Sequence, residues 1–191
     1  MGRARSGCRR TWDLPTFLYN ACLAVVSPLL CAWLAYRMLL QGKSRHGLRE
    51  RLGWLPEEAR ALGESQDPVI WFQAVSAGEV AVAEPIMREL LLREPMAHIA
   101  LSTTTPAGRQ MVEKRQLGVD AVFYFPFDLP VLTDRVLDTL CPDMLVLVES
   151  EIWPNLIAAA KRRGISVAVV NGRVSDKAFA RAVLVRPVYR W

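Results

Sequence analysis

Histidine is scarce in this sequence and paired cysteine is missing. Only His46 and His98 occur in 191 residues. One lies in a basic stretch and the other enters a strand-like run, which leaves no set for a Ser-His-Asp relay or a histidine-bound metal. The four cysteines (Cys8, Cys22, Cys31, Cys141) show no CxxC spacing. A disulfide framework or zinc site is therefore not expected, and a reducing compartment fits better. There is no G-x-x-x-x-G-K-[ST] and no G-x-G-x-x-G, so neither a P-loop nor a dinucleotide-binding turn is present. Repeats and low-complexity tracts are also missing. With 52% hydrophobic and 23% charged residues, the chain has the material for one ordinary domain and an appendage.

The net charge of +5 is unevenly spread. Residues 1–60 hold ten Lys/Arg against four Asp/Glu, whereas residues 61–191 hold fourteen against fifteen. A nearly neutral body with basicity beside an apolar stretch points to anionic lipid headgroups as partners and not to nucleic acid.

That apolar stretch, Leu14–Tyr36, runs 23 residues without a charge. At about 1.5 Å per residue a helix of this length reaches across a hydrocarbon core of about 30 Å. The run is too long for a signal peptide and lacks an A-x-A site; a buried core helix is the other alternative to membrane insertion, since apolar residues cover every face. Arginines flank it on both sides, so a spanning helix and a shallow insertion with both flanks on the cytoplasmic face remain alternatives. Residues 1–40 thus read as basic flank and membrane anchor, and residues 41–67 as a basic, then polar linker.

From residue 68 short apolar runs alternate with amphipathic ones. Strands are expected at 69–75, 99–104, 121–125, 144–148 and 166–171. Helices are expected at about 78–93, 106–115, 131–140 and 153–163, with Gly164 ending the last of these and Ser175 capping a further one. Residues 68–191 then form an α/β domain, a parallel sheet with helices on both faces. The functional side of such a sheet lies beyond the carboxyl ends of its strands.

Carboxylates are the chemistry left at those strand exits. Glu79 follows Ser76-Ala-Gly78 and opens a helix, where it has two readings: a general base for a substrate hydroxyl, or a charge that improves a helix N-terminus. Small Ser76 and Gly78 let a substrate approach the backbone. Glu149 and Glu151 leave the fourth strand two apart and, if extended, share one face. They read either as a buried acidic pair or as a cap and a solvated side chain. Thr104 and Thr105 offer hydroxyls to a sugar or phosphate, or simply end a strand.

Taken in order, WFQAVSAGEV, LSTTTPAGRQ, YFPFDLP, VESEIWPNLI and VNGRVSDKA resemble the 3-deoxy-D-manno-octulosonic acid (Kdo) transferases of Gram-negative bacteria. YRMLL and RERLG, after the apolar segment, are similar as well. The resemblance implies a GT-B glycosyltransferase of two Rossmann-like domains, with this chain as its acceptor-side portion. The donor-binding domain is then absent, and the chain alone is expected to be inactive. It also implies transfer of Kdo from CMP-Kdo to the lipid A precursor (lipid IVA), without a cofactor or metal, on the cytoplasmic side of the inner membrane. Glu79 then falls on the family's general base and Glu149 on its transition-state stabiliser. Ser76, Gly78, Thr104, Thr105 and Glu151 are the expected substrate contacts. The sequence departs from the family pattern at Gln73, Ala77 and Ser150, where many members have His, Val and Thr. Of these, Gln73 is expected to alter acceptor contacts.

Overall fold

The computed structural model describes residues 16–25, 47–149 and 151–172. Residues 16–25 are helical (α1). Two short helices follow, α2 (Leu48–Arg51) and α3 (Glu57–Leu62). Then strands and helices alternate: β1 (Val69–Gln73), α4 (Ala77–Arg93), β2 (His98–Thr103), α5 (Pro106–Arg115), β3 (Ala121–Tyr124), α6 (Pro130–Leu140), β4 (Met144–Val148), α7 (Pro154–Arg162) and β5 (Ser166–Val170). The five strands form one parallel sheet in the order β3-β2-β1-β4-β5.

Parallel strands are joined by crossover helices, which cover both faces and leave the strands almost wholly apolar. β1 is buried at every position. Its alternate residues feed two cores. Trp71 lies with Phe123, Leu145 and Leu147 under α3, α6 and α7, while Phe72 lies with Ile99, Leu101 and Val146 under α4 and α5. Trp71 also stacks near Phe123 and Phe125, with ring centroids 5.6 and 6.3 Å away.

Helix starts follow local chemistry. Pro occupies the first position of α5, α6 and α7, where its missing N–H costs nothing. Gly164 ends the turn after α7 at φ +70°, a left-handed conformation that glycine adopts without a Cβ clash.

Three expectations need correction. The strands at 69–75, 99–104, 121–125 and 166–171 stop one or two residues earlier, at Gln73, Thr103, Tyr124 and Val170, where the pairing ends. Ala74 and Phe125, buried just past the paired residues, each donate one last ladder bond, to the Ser102 and Thr103 carbonyls at 3.0 and 2.8 Å. The linker at 41–67, over its described residues, is instead packed on the domain. Leu55, Ala59 and Leu62 recur at helical spacing and enter the core around Trp71, a stripe hidden in the sequence by Glu57, Glu58 and Arg60. Finally, Gln73 is completely buried and bonded by the Ser102 hydroxyl, so its side chain faces the interior and not an acceptor.

α1 lies against the domain through buried Thr16 and through Tyr19 and Asn20, while Phe17, Leu18 and Val25 are 58%, 52% and 75% exposed. No helix among the described residues is long and apolar enough to cross a membrane. The rest of the 14–36 segment, Ser150 and the helix expected after Ser175 lie outside the described residues.

Candidate active site

Chain order along the sheet reverses between β1 and β4. At such a switch point the two following connections leave on opposite faces and open a crevice at the carboxyl ends. The β1 exit carries Ser76 to Glu79, and the β4 exit carries Glu149 to Trp153.

Glu79 is the third residue of α4, whose N-cap is Ser76. The spacing is that of a capping box, in which serine and glutamate satisfy the open amides of the first turn. Here neither side chain bonds an amide of the first turn, and the glutamate instead ties the helix start back to the end of β1. Its Oε2 accepts the Val75 N–H at 2.6 Å and its Oε1 accepts the Ser76 hydroxyl at 2.9 Å. The Ser76 hydroxyl makes no bond to the helix backbone. Glu79 is 7% exposed, and each oxygen keeps a further lone pair. A Cβ placed on Gly78 would meet nothing nearer than Ser76 Oγ at 3.8 Å, so the surface beside the carboxylate is open on that side.

The β2 exit is tied to the same turn, since the N–H groups of Thr104 and Thr105 both donate to the Val75 carbonyl at 3.1 Å. Thr105 caps α5, its hydroxyl accepting the Gly108 N–H at 3.1 Å. That assigns Thr105 first to the helix. Thr104 Oγ1 is buried with no hydrogen-bond partner among the described residues.

Glu149 does not continue β4. Its φ is +63°, the left-handed region, while its N–H still donates to the Val170 carbonyl at 2.8 Å. The extended spacing expected for Glu149 and Glu151 is therefore broken. A non-glycine residue in this region costs on the order of 1–3 kcal/mol and is held there by its surroundings. The β1 and β4 exits that carry Glu79, Glu149 and Glu151 lie side by side, because the two strands are adjacent and parallel. Burial pushes the Glu151 carboxyl above its ordinary value, and repulsion from Glu79 and then Glu149 adds to the rise. Among the described residues no three His, Cys, Asp or Glu side chains form a metal-binding group.

A basic rim borders the β2 and β3 exits. Arg51 donates to the Thr104 carbonyl at 2.6 Å and lies 4.7 Å from the Tyr124 ring centroid, with Arg109 at 5.3 Å. Burial lowers the Arg51 guanidinium from its ordinary value. Glu50 ties this rim down by accepting Arg109 Nη1 at 2.9 Å and the Tyr124 N–H at 2.6 Å. These residues, drawn from RERLG and from the helix after β2, have no spacing pattern linking them in the sequence. His98 stands at the opposite end of β2, 3.1 Å from Asp120, away from this edge.

Comparison with known proteins places the chain among longer ones. The family model described as 3-deoxy-D-manno-octulosonic-acid transferase (kdotransferase) matches residues 46–191. The chain is 29% identical over 180 residues to the 3-deoxy-D-manno-octulosonic acid transferase of Chlamydophila psittaci, covering 93% of this chain and 40% of that protein. It is 35% identical over 165 residues to a probable mitochondrial 3-deoxy-D-manno-octulosonic acid transferase of Arabidopsis thaliana, covering 86% and 36%. With the Haemophilus influenzae transferase it shares 32% over 170 residues, covering 86% and 38%. The chain thus spans about two-fifths of the length of these relatives.

Proposed function

The chain belongs to the 3-deoxy-D-manno-octulosonic-acid transferase family, and from that premise we propose that it is the acceptor-side, Rossmann-like portion of a GT-B enzyme. The reaction is transfer of Kdo from CMP-Kdo to the lipid A precursor, in lipopolysaccharide biosynthesis at the cytoplasmic side of the inner membrane. CMP-Kdo is held by the portion of the enzyme that the longer relatives carry beyond the matched region. No cofactor takes part.

The observation that carries this reading is the placement of Glu79 at the β1 exit beside Glu149 and Glu151 at the adjacent, parallel β4 exit, on the switch point of the sheet. An acceptor hydroxyl resting over Gly78 attacks the anomeric carbon of Kdo. Its proton passes to a free lone pair of Glu79, and the bond to CMP breaks with its electron pair staying on the leaving phosphate. Hydrogen bonds from Val75 and Ser76 aim the Glu79 carboxylate and spare proton transfer the cost of orienting it. Glu149 faces the positive charge that develops at the sugar as the CMP bond loosens. Thr104, Ser76 and Glu151 contact the acceptor, and Arg51 and Arg109 suit its phosphate groups.

Membrane lipids are the second partner. α1 turns its polar side to the domain and presents Phe17, Leu18 and Val25 outward, next to arginine-rich flanks. An apolar face with basic flanks binds an anionic bilayer surface.

The test joins residues 1–191 to the remaining portion of a longer relative and measures CMP release and Kdo-lipid product from CMP-Kdo and lipid IVA. Transfer by the chimera, and none by residues 1–191 alone, is expected. A folded chimera that binds the acceptor without releasing CMP would mark the chain as a glycolipid-binding module. Transfer to another lipid in preference would change the acceptor and keep the fold.

A further inference from the structure

Asp128, in the loop after β3, has no part in the chemistry above, yet it is 7% exposed and takes three donors. Its Oδ2 accepts the Tyr19 hydroxyl at 3.0 Å and the Asn155 N–H at 3.1 Å, and its Oδ1 accepts the Leu156 N–H at 2.9 Å. Asn155 and Leu156 are the second and third residues of α7. Their amides are among the four that a helix cannot satisfy itself. The residue at the N-cap position is Trp153, whose side chain makes no capping bond. The cap of α7 thus comes from another loop.

The same node reaches α1 twice more. Asn155 and Asn20 exchange side-chain hydrogen bonds at 2.8 and 2.9 Å, and Asn155 Nδ2 also donates to the Asp128 carbonyl at 2.7 Å. Trp153 packs on Phe125 of the Asp128 loop, with centroids 4.7 Å apart. The segment holding Glu149 and Glu151 is therefore pinned at both ends. Glu149 is held at its start by the bond to Val170, and Asn155 at its end by Asp128.

We propose that Asp128 is a positioning residue: its carboxylate joins α1 to the start of α7 and so sets where Glu149 and Glu151 stand relative to Glu79. Only the role of those acids rests on the transferase reading; the geometry does not. A buried carboxylate is costly unless its lone pairs are filled, and Asp128 fills them only with α1 and α7 both in place. The anchor helix and the acidic segment are consequently seated by one group.

The experiment uses the 191-residue chain with glutamate carboxyls labelled for carbon NMR. The Glu151 titration is followed together with amide exchange at Asn155 and Leu156. In Asp128→Asn one oxygen becomes an NH2 group that cannot accept. Glu151 should then titrate closer to an ordinary glutamate, with exchange at the two amides at least about tenfold faster. Tyr19→Phe should move both in the same direction by less, and it carries the test if Asp128→Asn does not fold. Asp120, which accepts the Ile99 N–H at 2.8 Å, supplies the matched control. Asp120→Asn should lower the melting temperature and leave Glu151 in place. A Glu151 titration unchanged in both Asp128→Asn and Tyr19→Phe would overturn the proposal, as would an equal shift in Asp120→Asn. Sugar transfer is not measured, so failure here leaves the transferase reading intact, and failure of transfer in the chimera leaves this one intact.

Discussion

Ser76 donates its hydroxyl to Glu79 across 2.9 Å, reversing the direction in which a capping serine usually works. The glutamate reaches past the N-cap to the Val75 N–H, so it braces the end of β1 as well as the start of α4. A helix-end role and a catalytic role coincide in one side chain, and stability and turnover measured on the same variant separate them.

Glu79→Gln keeps the size of the side chain but replaces one acceptor oxygen with a donor. Loss of one of the two hydrogen bonds should lower stability by about 1 kcal/mol. In the chimera, turnover should fall by about 10²–10⁴-fold, the usual contribution of a general base. Melting temperature on the chain and turnover on the chimera check the two parts. A destabilised variant with near-normal transfer would confine Glu79 to the helix end.

Glu151→Gln should stabilise the chain near neutral pH. Burial and the charges of Glu79 and Glu149 raise the Glu151 pKa in the folded state. As pH rises, the unfolded chain ionises first, so stability declines between the unfolded and the folded pKa and stays lower above both. The amide removes that decline. Melting temperatures should favour the variant at about pH 7 and coincide with the parent at about pH 3, below the ordinary glutamate range. A gain that persists in acid would place its origin outside the titration.

Gly63→Ala tests the seat of α3. A Cβ there would lie 1.9 Å from the Thr139 carbonyl oxygen of α6. Backbone cannot step aside as a flexible side chain can, so a cost of about 1–3 kcal/mol or more is expected, read as a lower urea midpoint at unchanged slope. An unchanged midpoint would mean that residues 57–63 do not pack on α6.

Replacing Phe17, Leu18 and Val25 together by Ser should weaken binding to anionic vesicles by more than about tenfold, because each side chain fully buried is worth about 1.5–3 kcal/mol. High salt should release the parent only partly, since it screens the basic flanks and leaves apolar insertion intact. Sedimentation with vesicles reads both. Equal binding by parent and variant would put the contact elsewhere.

The sheet was legible because each strand is a short apolar run between turn-forming residues, from Val69, Ile99, Ala121 and Met144 onward. Glu79 was legible because Ser76-x-x-Glu79 is a local pattern with a local cause. Other features depend on contacts that spacing does not record. The left-handed turn at Glu149 follows a string of β-formers that gives no warning of it. Leu55, Ala59 and Leu62 form a helical stripe too short to stand out among charges. Asp128 reads as a lone acid between prolines, since its partners Tyr19 and Asn155 lie 109 and 27 positions away.

Distance along the chain also sets an order of events during synthesis. The Asn20–Asn155 pair spans 135 positions, about 7–27 s of translation at 5–20 residues per second. Throughout that interval α1 has been made while the residues that receive its polar side have not. A nascent helix bearing Phe17, Leu18 and Val25 can meet the bilayer before the domain exists. On the membrane reading proposed above, the domain then closes onto a helix already at the surface, and Asp128 joins the two once Asn155 has been made.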